Sequence, residues 1–195
     1  MLKADPSYIG GYHAKREQDM VPAARTTLDV ALWLMARAES AGERLQPQKL
    51  QRLLYLAQAH YAVNNQGQKL MPATFLATEV GPLEPNVYYL FQQGAPSLVY
   101  ADPSPIVEEF LMGLWDRYGN RPAEDLLTTI ASDGAYALAL KGGRNTEITL
   151  EILQAGYGGK SAVKVKGGAK PAAEPSYWTA DGKRATKWIP GQAKR

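Results

Sequence analysis

Between Pro47 and Asn64 the apolar residues Leu50, Leu53, Leu54, Ala57 and Tyr61 recur at intervals of three and four, the spacing that lines one face of an α-helix. Pro47 suits the first helical position, where a missing N–H costs nothing, and Asn64-Asn65-Gln66-Gly67 ends the run. A strand would alternate every second residue. The chain must therefore give a long helix something apolar to bury against. Lys49, Gln51, Arg52, Gln58 and Asn64 lie mostly off the stripe, and His60 on its flank, so these are expected on the outer side.

Other segments carry the same helical periodicity. Thr26-Thr27-Leu28-Asp29 offers a capping hydroxyl and an acid for the positive end of a helix. Leu28, Ala31, Leu32, Met35 and Ala38 follow at helical spacing, and Gly42 is the stop. Ser104-Pro105 opens a helix burying Val107, Phe110, Leu111, Leu114 and Tyr118, closed by Gly119-Asn120. Pro122, Glu124 and Asp125 open the next, with Leu126, Leu127 and Ile130 inward. A short helix from Asp133 to about Leu140 and a last turn or two from Thr149 to Ala155 complete the body. Leu70 to Leu83 is too broken for a helix; it reads as extended segments or a hairpin, with Gly81 before Pro82 held extended. Pro85 then starts a short helix burying Val87, Leu90 and Phe91 and ending at Gly94.

Charge divides the chain. The net +3 of 195 residues hides 13 Lys and Arg against 17 acids up to Gly159, and nine against two from Lys160 to Arg195. The body is acidic and the tail basic. Gly, Lys, Ala and Pro dominate from Gly156 onward, a composition that does not offset its ordering entropy, so a disordered tail is expected. Tyr177, Trp178 and Trp188 are unusual there. They leave three readings open: a solvated tail, a peptide motif for a protein partner, and a nucleic-acid contact in which aromatic rings stack on bases between salt-sensitive cations.

Signatures of catalysis are weak. With no cysteine, thiol chemistry, disulfides and thiolate zinc sites are excluded; the lack of cysteine also fits a reducing compartment. The two histidines, His13 and His60, lack metal-ligand spacing. Gly159-Lys160-Ser161 resembles the end of a phosphate loop, but Gln154 stands where the motif needs its first glycine. Glu108-Glu109 and Glu124-Asp125 fall in first helical turns, where the macrodipole favours acids. Neither a signal peptide nor a membrane span is expected.

Leu45 to Tyr61, with its Lys49-Leu50-Gln51-Arg52-Leu53-Leu54-Tyr55 core and the Ala57-Gln58 pair, resembles the signature of the Panacea family (GepA-like or SocA-like proteins). Ala77 to Pro82 with Val87-Tyr88 is similar to a second family block, and Val107 to Gly119 with Leu126-Leu127 to a third. Thr78 and Val80 stand where the family has aromatic residues, Tyr136 where many relatives have tryptophan, and the family's histidine is missing. The resemblance implies a non-enzymatic, cytoplasmic bacterial antitoxin that needs no cofactor and binds a cognate protein toxin. In the SocA branch it also implies a proteolytic adaptor that delivers the toxin to ClpX of the ClpXP protease. A phage-associated or regulatory protein binding nucleic acid through its tail is the alternative.

The expectation is therefore a mainly α, compact multi-helix domain over residues 26–155, with an extended or hairpin insertion near 70–83. A flexible lead-in (1–25) precedes it and the basic tail (156–195) follows. Lys49, Leu50, Leu53, Leu54, Tyr55 and Gln58 are expected to be mostly structural. Phe75, Thr78, Glu79, Gly81, Pro82, Tyr88 and Tyr89 are candidates for the partner surface, because loops on a rigid scaffold carry binding and exposed tyrosines anchor interfaces; alternatively, the tyrosines complete the core.

Overall fold

The computed structural model describes residues 21–92 and 101–157. Among them are seven helices: α1 (Thr27–Ser40), α2 (Pro47–Asn64), α3 (Pro85–Gln92), α4 (Pro105–Tyr118), α5 (Ala123–Ala131), α6 (Ala135–Lys141) and α7 (Leu150–Tyr157). Three short strands accompany them: β1 (Leu76–Thr78), β2 (Gly81–Leu83) and β3 (Thr146–Glu147). The fold is mainly helical.

Local chemistry accounts for several boundaries. Thr26 accepts the Asp29 amide through its hydroxyl at 3.0 Å and so caps α1. Gly42 follows at φ +76°, a conformation glycine adopts without strain. Pro47 and Pro105 occupy the first turns of α2 and α4, as their fixed φ favours. α6 is capped from two residues before its start: Asp133 Oδ1 accepts the amides of Ala135 and Tyr136 at 2.8 and 3.2 Å.

α2 is the axis of the molecule. α1, α3, α4, α5, β2 and α7 all pack against it, and every residue from Leu50 to Ala62 is buried. This corrects the expectation of an outer polar face: Gln51, Arg52, Gln58 and His60 lie inside. They are buried because they satisfy backbone groups of distant segments or rings of neighbouring helices. Gln58 Oε1 accepts the amides of Leu70 and Met71, each at 3.1 Å. Gln51 exchanges two bonds with the backbone of Glu84, accepting its N–H at 2.7 Å and donating to its carbonyl at 3.3 Å. The side-chain amide thus pairs with Glu84 as a neighbouring strand would.

The expected hairpin is present. β1 and β2 run antiparallel, Leu76 opposite Leu83 and Thr78 opposite Gly81, joined by Glu79-Val80. Gly81 lies in β2 but at φ +125°, so its backbone is reversed rather than ordinarily extended. Pro82 is tolerated because β2 is an edge of the β2-β1-β3 sheet. β3 pairs antiparallel with β1 and was not expected, since two residues carry no readable alternation.

Both ends of the body reach further than the sequence suggests. Ala23 and Ala24, placed in the flexible lead-in, donate to the carbonyls of Lys69 and Leu70 at 3.0 and 2.6 Å. Gly156 and Tyr157, placed in the tail, belong to α7, and Tyr157 is buried. A Cβ on Gly156 would meet the Cβ and backbone N of Ala135 at 2.5 Å, so this glycine permits the close approach of α6 and α7. Leu90, expected inward, is exposed, while Val87 and half-buried Phe91 turn in.

Candidate functional site

The candidate residues separate into an inner and an outer set. Phe75 is buried and meets Tyr55 edge-on, ring centroids 5.6 Å apart, so it belongs to the core. Gly81 and Pro82 are buried too. A Cβ on Gly81 would lie 3.3 Å from Leu127, which places β2 directly against α5. These three are corrected from contact residues to packing residues. Thr78 is half-buried; its hydroxyl donates to Gly81 O at 2.7 Å, and its carbonyl accepts the hydroxyl of Tyr136.

Glu79 stands outside, paired with Arg144 at 2.7 Å between two exposed side chains. Beside it Val80 is 69% exposed, the exposed apolar tip of the hairpin, which the sequence reading passed over. Tyr88 and Tyr89 are 39% and 70% exposed, so they do not complete the core. Their rings meet edge-on at 5.9 Å.

α3 presents these tyrosines from a rigid base. Glu84, fully buried, accepts the amide of Val87 at 2.6 Å and the side-chain amide of Asn86 at 3.0 Å. It therefore caps the first turn of α3 with a carboxylate at the positive helix end. Its own backbone is held by Gln51. The hairpin is fixed from the other side by Arg52, whose Nη2 donates to Val80 O at 3.3 Å, and by Tyr136 on Thr78.

The signature residues Leu50, Leu53, Leu54, Tyr55 and Gln58 are buried, and Lys49 pairs with Glu43 at 3.2 Å. Tyr55 begins a polar spine through the core. Its hydroxyl donates to Asp133 Oδ2 at 3.2 Å. Tyr157 lies by the same carboxylate, its hydroxyl without a hydrogen bond of good geometry among the described residues. The Tyr157 ring meets His60 edge-on at 5.3 Å, and His60 Nε2 bonds the Tyr118 hydroxyl at 2.9 Å with the two rings stacked.

Burial sets the protonation of this spine. It raises the Asp133 carboxyl above the usual range, against the lowering effect of its hydrogen bonds. It lowers His60 to about 4, and the positive charge of Arg117 adds to the shift. The phenols of Tyr55 and Tyr157 are pushed upward and stay protonated. A neutral imidazole on a phenol, and a carboxylate fed by a phenol and two amides, form a buried polar network in which His60 Nδ1 and the Tyr157 hydroxyl have no hydrogen bond of good geometry among the described residues. Asp133, Tyr118 and Tyr157 were not singled out as site residues, because they come from two helices and the turn before a third, with no common spacing.

Among the described residues no group of His, Asp and Glu is arranged to hold a metal ion, and no helix is long and apolar enough to cross a membrane. Tyr177, Trp178, Trp188 and His13 lie outside the described residues. Comparison of the chain with protein-family models, with curated proteins and with solved structures finds no match.

Proposed function

We propose that this chain is the antitoxin of a toxin–antitoxin pair, binding a protein toxin by stoichiometric contact in the cytoplasm. The observation that carries the reading is the adjacent exposed pair Tyr88–Tyr89, held on a helix whose first turn is locked by Glu84 and Gln51. Tyrosines on a rigid element supply contact area at low entropic cost, as interface anchors do. Glu79 and Val80 at the hairpin tip are the other assigned contact residues. The resemblance of Lys49 to Tyr61 to the Panacea signature supports the antitoxin class; those residues supply the scaffold and not the surface.

Co-expression with the neighbouring gene product, followed by a pull-down, tests the proposal. Protection should require antitoxin at about the toxin's own level, and Tyr88→Ala/Tyr89→Ala should lose the complex while keeping its melting temperature. Failure of every neighbouring product to bind or to be neutralised would sink the reading.

Delivery of the toxin to ClpXP is the finer form of the proposal, with the basic tail as the tethering element. It predicts that removal of the tail leaves toxin binding intact and lengthens toxin lifetime. The excess of seven positive charges in the tail also favours a second reading, nucleic-acid binding. That binding would weaken steeply with salt and disappear in a chain ending at Gly159.

A further inference from the structure

The acids buried in the described body, Asp29, Glu84 and Asp133, each accept a backbone amide. Arg52 is also buried, at 6% exposed, and is far less well served. Among the described residues its one hydrogen bond runs from Nη2 to Val80 O at 3.3 Å, Nη1 has no partner, and no carboxylate pairs with it. A guanidinium withdrawn from water without a counter-charge is costly. Its position says where that counter-charge would come from.

Arg52 lies on the inner side of the hairpin tip. Its Nη2 holds the Val80 carbonyl, and its Nε would stand 3.7 Å from a Cβ on Gly81. The tip residues Thr78, Glu79 and Val80 line a hollow of about 240 Å³ together with Arg144 and Asn145. We infer that this hollow is the receptor for a carboxylate of the protein partner, gripped by Arg144 and drawn in by the charge of Arg52. The inference rests on the reading of Glu79 and Val80 as contact residues, and it names what they meet: an acidic side chain.

Glu79 is the internal stand-in for that ligand. Its carboxylate meets Arg144 at 2.7 Å, between side chains 64% and 78% exposed. Such a pair is worth little in water, so an incoming acid can take its place on a guanidinium fork suited to carboxylates. Arg144 in the hollow and Arg52 behind its Val80 wall set two cations against the one carboxylate of Glu79. Nη1 is closed to solvent, so Arg52 acts through its field and not by touch. A buried charge is screened far less than an exposed one. A single carboxylate suits this local excess, whereas an extended polyanion meets a body of 14 acids against 10 bases over residues 21–157.

Titration of the full-length protein with N-acetylglutamate methylamide, which carries one carboxylate, tests the site. N-acetylglutamine methylamide is its uncharged twin. At constant ionic strength the NMR amide signals of Val80 and Asn145 should shift saturably with the acid and stay in place with the twin. Arg144→Gln should abolish the effect, and Arg52→Met should weaken binding about tenfold. Arg52→Lys, which keeps the charge, should retain most of it. Glu79→Gln, which removes the internal competitor, should strengthen it. If Arg52→Met does not fold, the Arg52 Nε–H signal of the unaltered protein decides: it must move with the acid. The absence of a saturable shift overturns the inference. So does an affinity unchanged in Arg52→Met, which leaves an ordinary surface ion pair, or tighter binding of dimethyl phosphate, which assigns the tip to phosphate groups. No toxin enters the titration, so these outcomes strike the receptor and leave the antitoxin reading to its own test.

Discussion

The hydroxyl of Tyr55 on α2 and a carboxylate oxygen of Asp133 at the entry to α6 meet at 3.2 Å inside the core, 78 residues apart in sequence. Asp133 caps α6 with its other oxygen, so one carboxylate fixes both the start of a helix and its position against α2. Tyr55→Phe removes a single donor and should cost about 1–2 kcal/mol. Asp133→Ala strands the phenol and two amides and should cost roughly 3 kcal/mol or more. Urea melts of the two variants rank them; equal midpoints would mean that the carboxylate does not organise this region.

Gln51→Ala should be among the costly polar substitutions on α2. It leaves both the N–H and the carbonyl of buried Glu84 without their partners, a loss of about 2–3 kcal/mol. Because Glu84 also caps α3, hydrogen exchange should quicken at Val87 and Tyr88 before it quickens elsewhere. A variant with wild-type stability and protection would show that Gln51 is only a space-filler.

Leu54→Ala removes packed methyl groups from a site with no solvent exposure and should cost about 2–5 kcal/mol. Gly156→Ala acts in the opposite way, by forcing a methyl group to within 2.5 Å of Ala135, and should cost about 1–3 kcal/mol through displacement of α7. A chain ending after Gly159 keeps α7 whole and should melt within a degree or two of the full protein. Loss of folding in that chain would place a tail aromatic in the core.

His60 makes stability fall in acid. Its folded pKa, about 4, lies below the unfolded value of 6.5, so the unfolded chain takes up the proton first as the pH drops. The stabilisation is complete above pH 6.5 and is lost towards pH 4, to a total of about 3 kcal/mol. Asp133 acts in the opposite sense: its raised folded pKa makes stability fall as the pH rises from the unfolded carboxyl value. The difference between wild type and His60→Gln, measured at each pH, therefore isolates the histidine. A difference that stays constant from pH 7 to 4 would refute the shift.

Helix positions were readable because Pro47, Ser104-Pro105, Thr26 and Gly42 act on their immediate neighbours. The burial of Gln51, Arg52 and Gln58 was not readable. Periodicity treats a polar side chain as outward-facing, whereas these pair with Glu84, Val80, Leu70 and Met71. At the other end, the run of Gly and Lys around Gly159 masked the last turn of α7, where Gly156 packs and Tyr157 is buried. In the candidate surface, the exposure of Tyr88 and Tyr89 was one of two readings that the sequence left open, the other being that they complete the core. The inward turn of Phe75, Gly81 and Pro82 was not anticipated, since only β3 and α5 on their far sides make it necessary.

The central place of α2 has a kinetic consequence. Its closing contacts come from far along the chain: Tyr118 and Asp133 reach it over 58 and 78 residues, and α7 lies beyond both. Such separations slow folding relative to a bundle of neighbouring helices. Any fragment ending before Leu150 leaves one side of α2 bare, and a nascent chain carries that bare side until α7 emerges. Chaperones and proteases would meet this apolar surface throughout synthesis. The helix is made early and covered last.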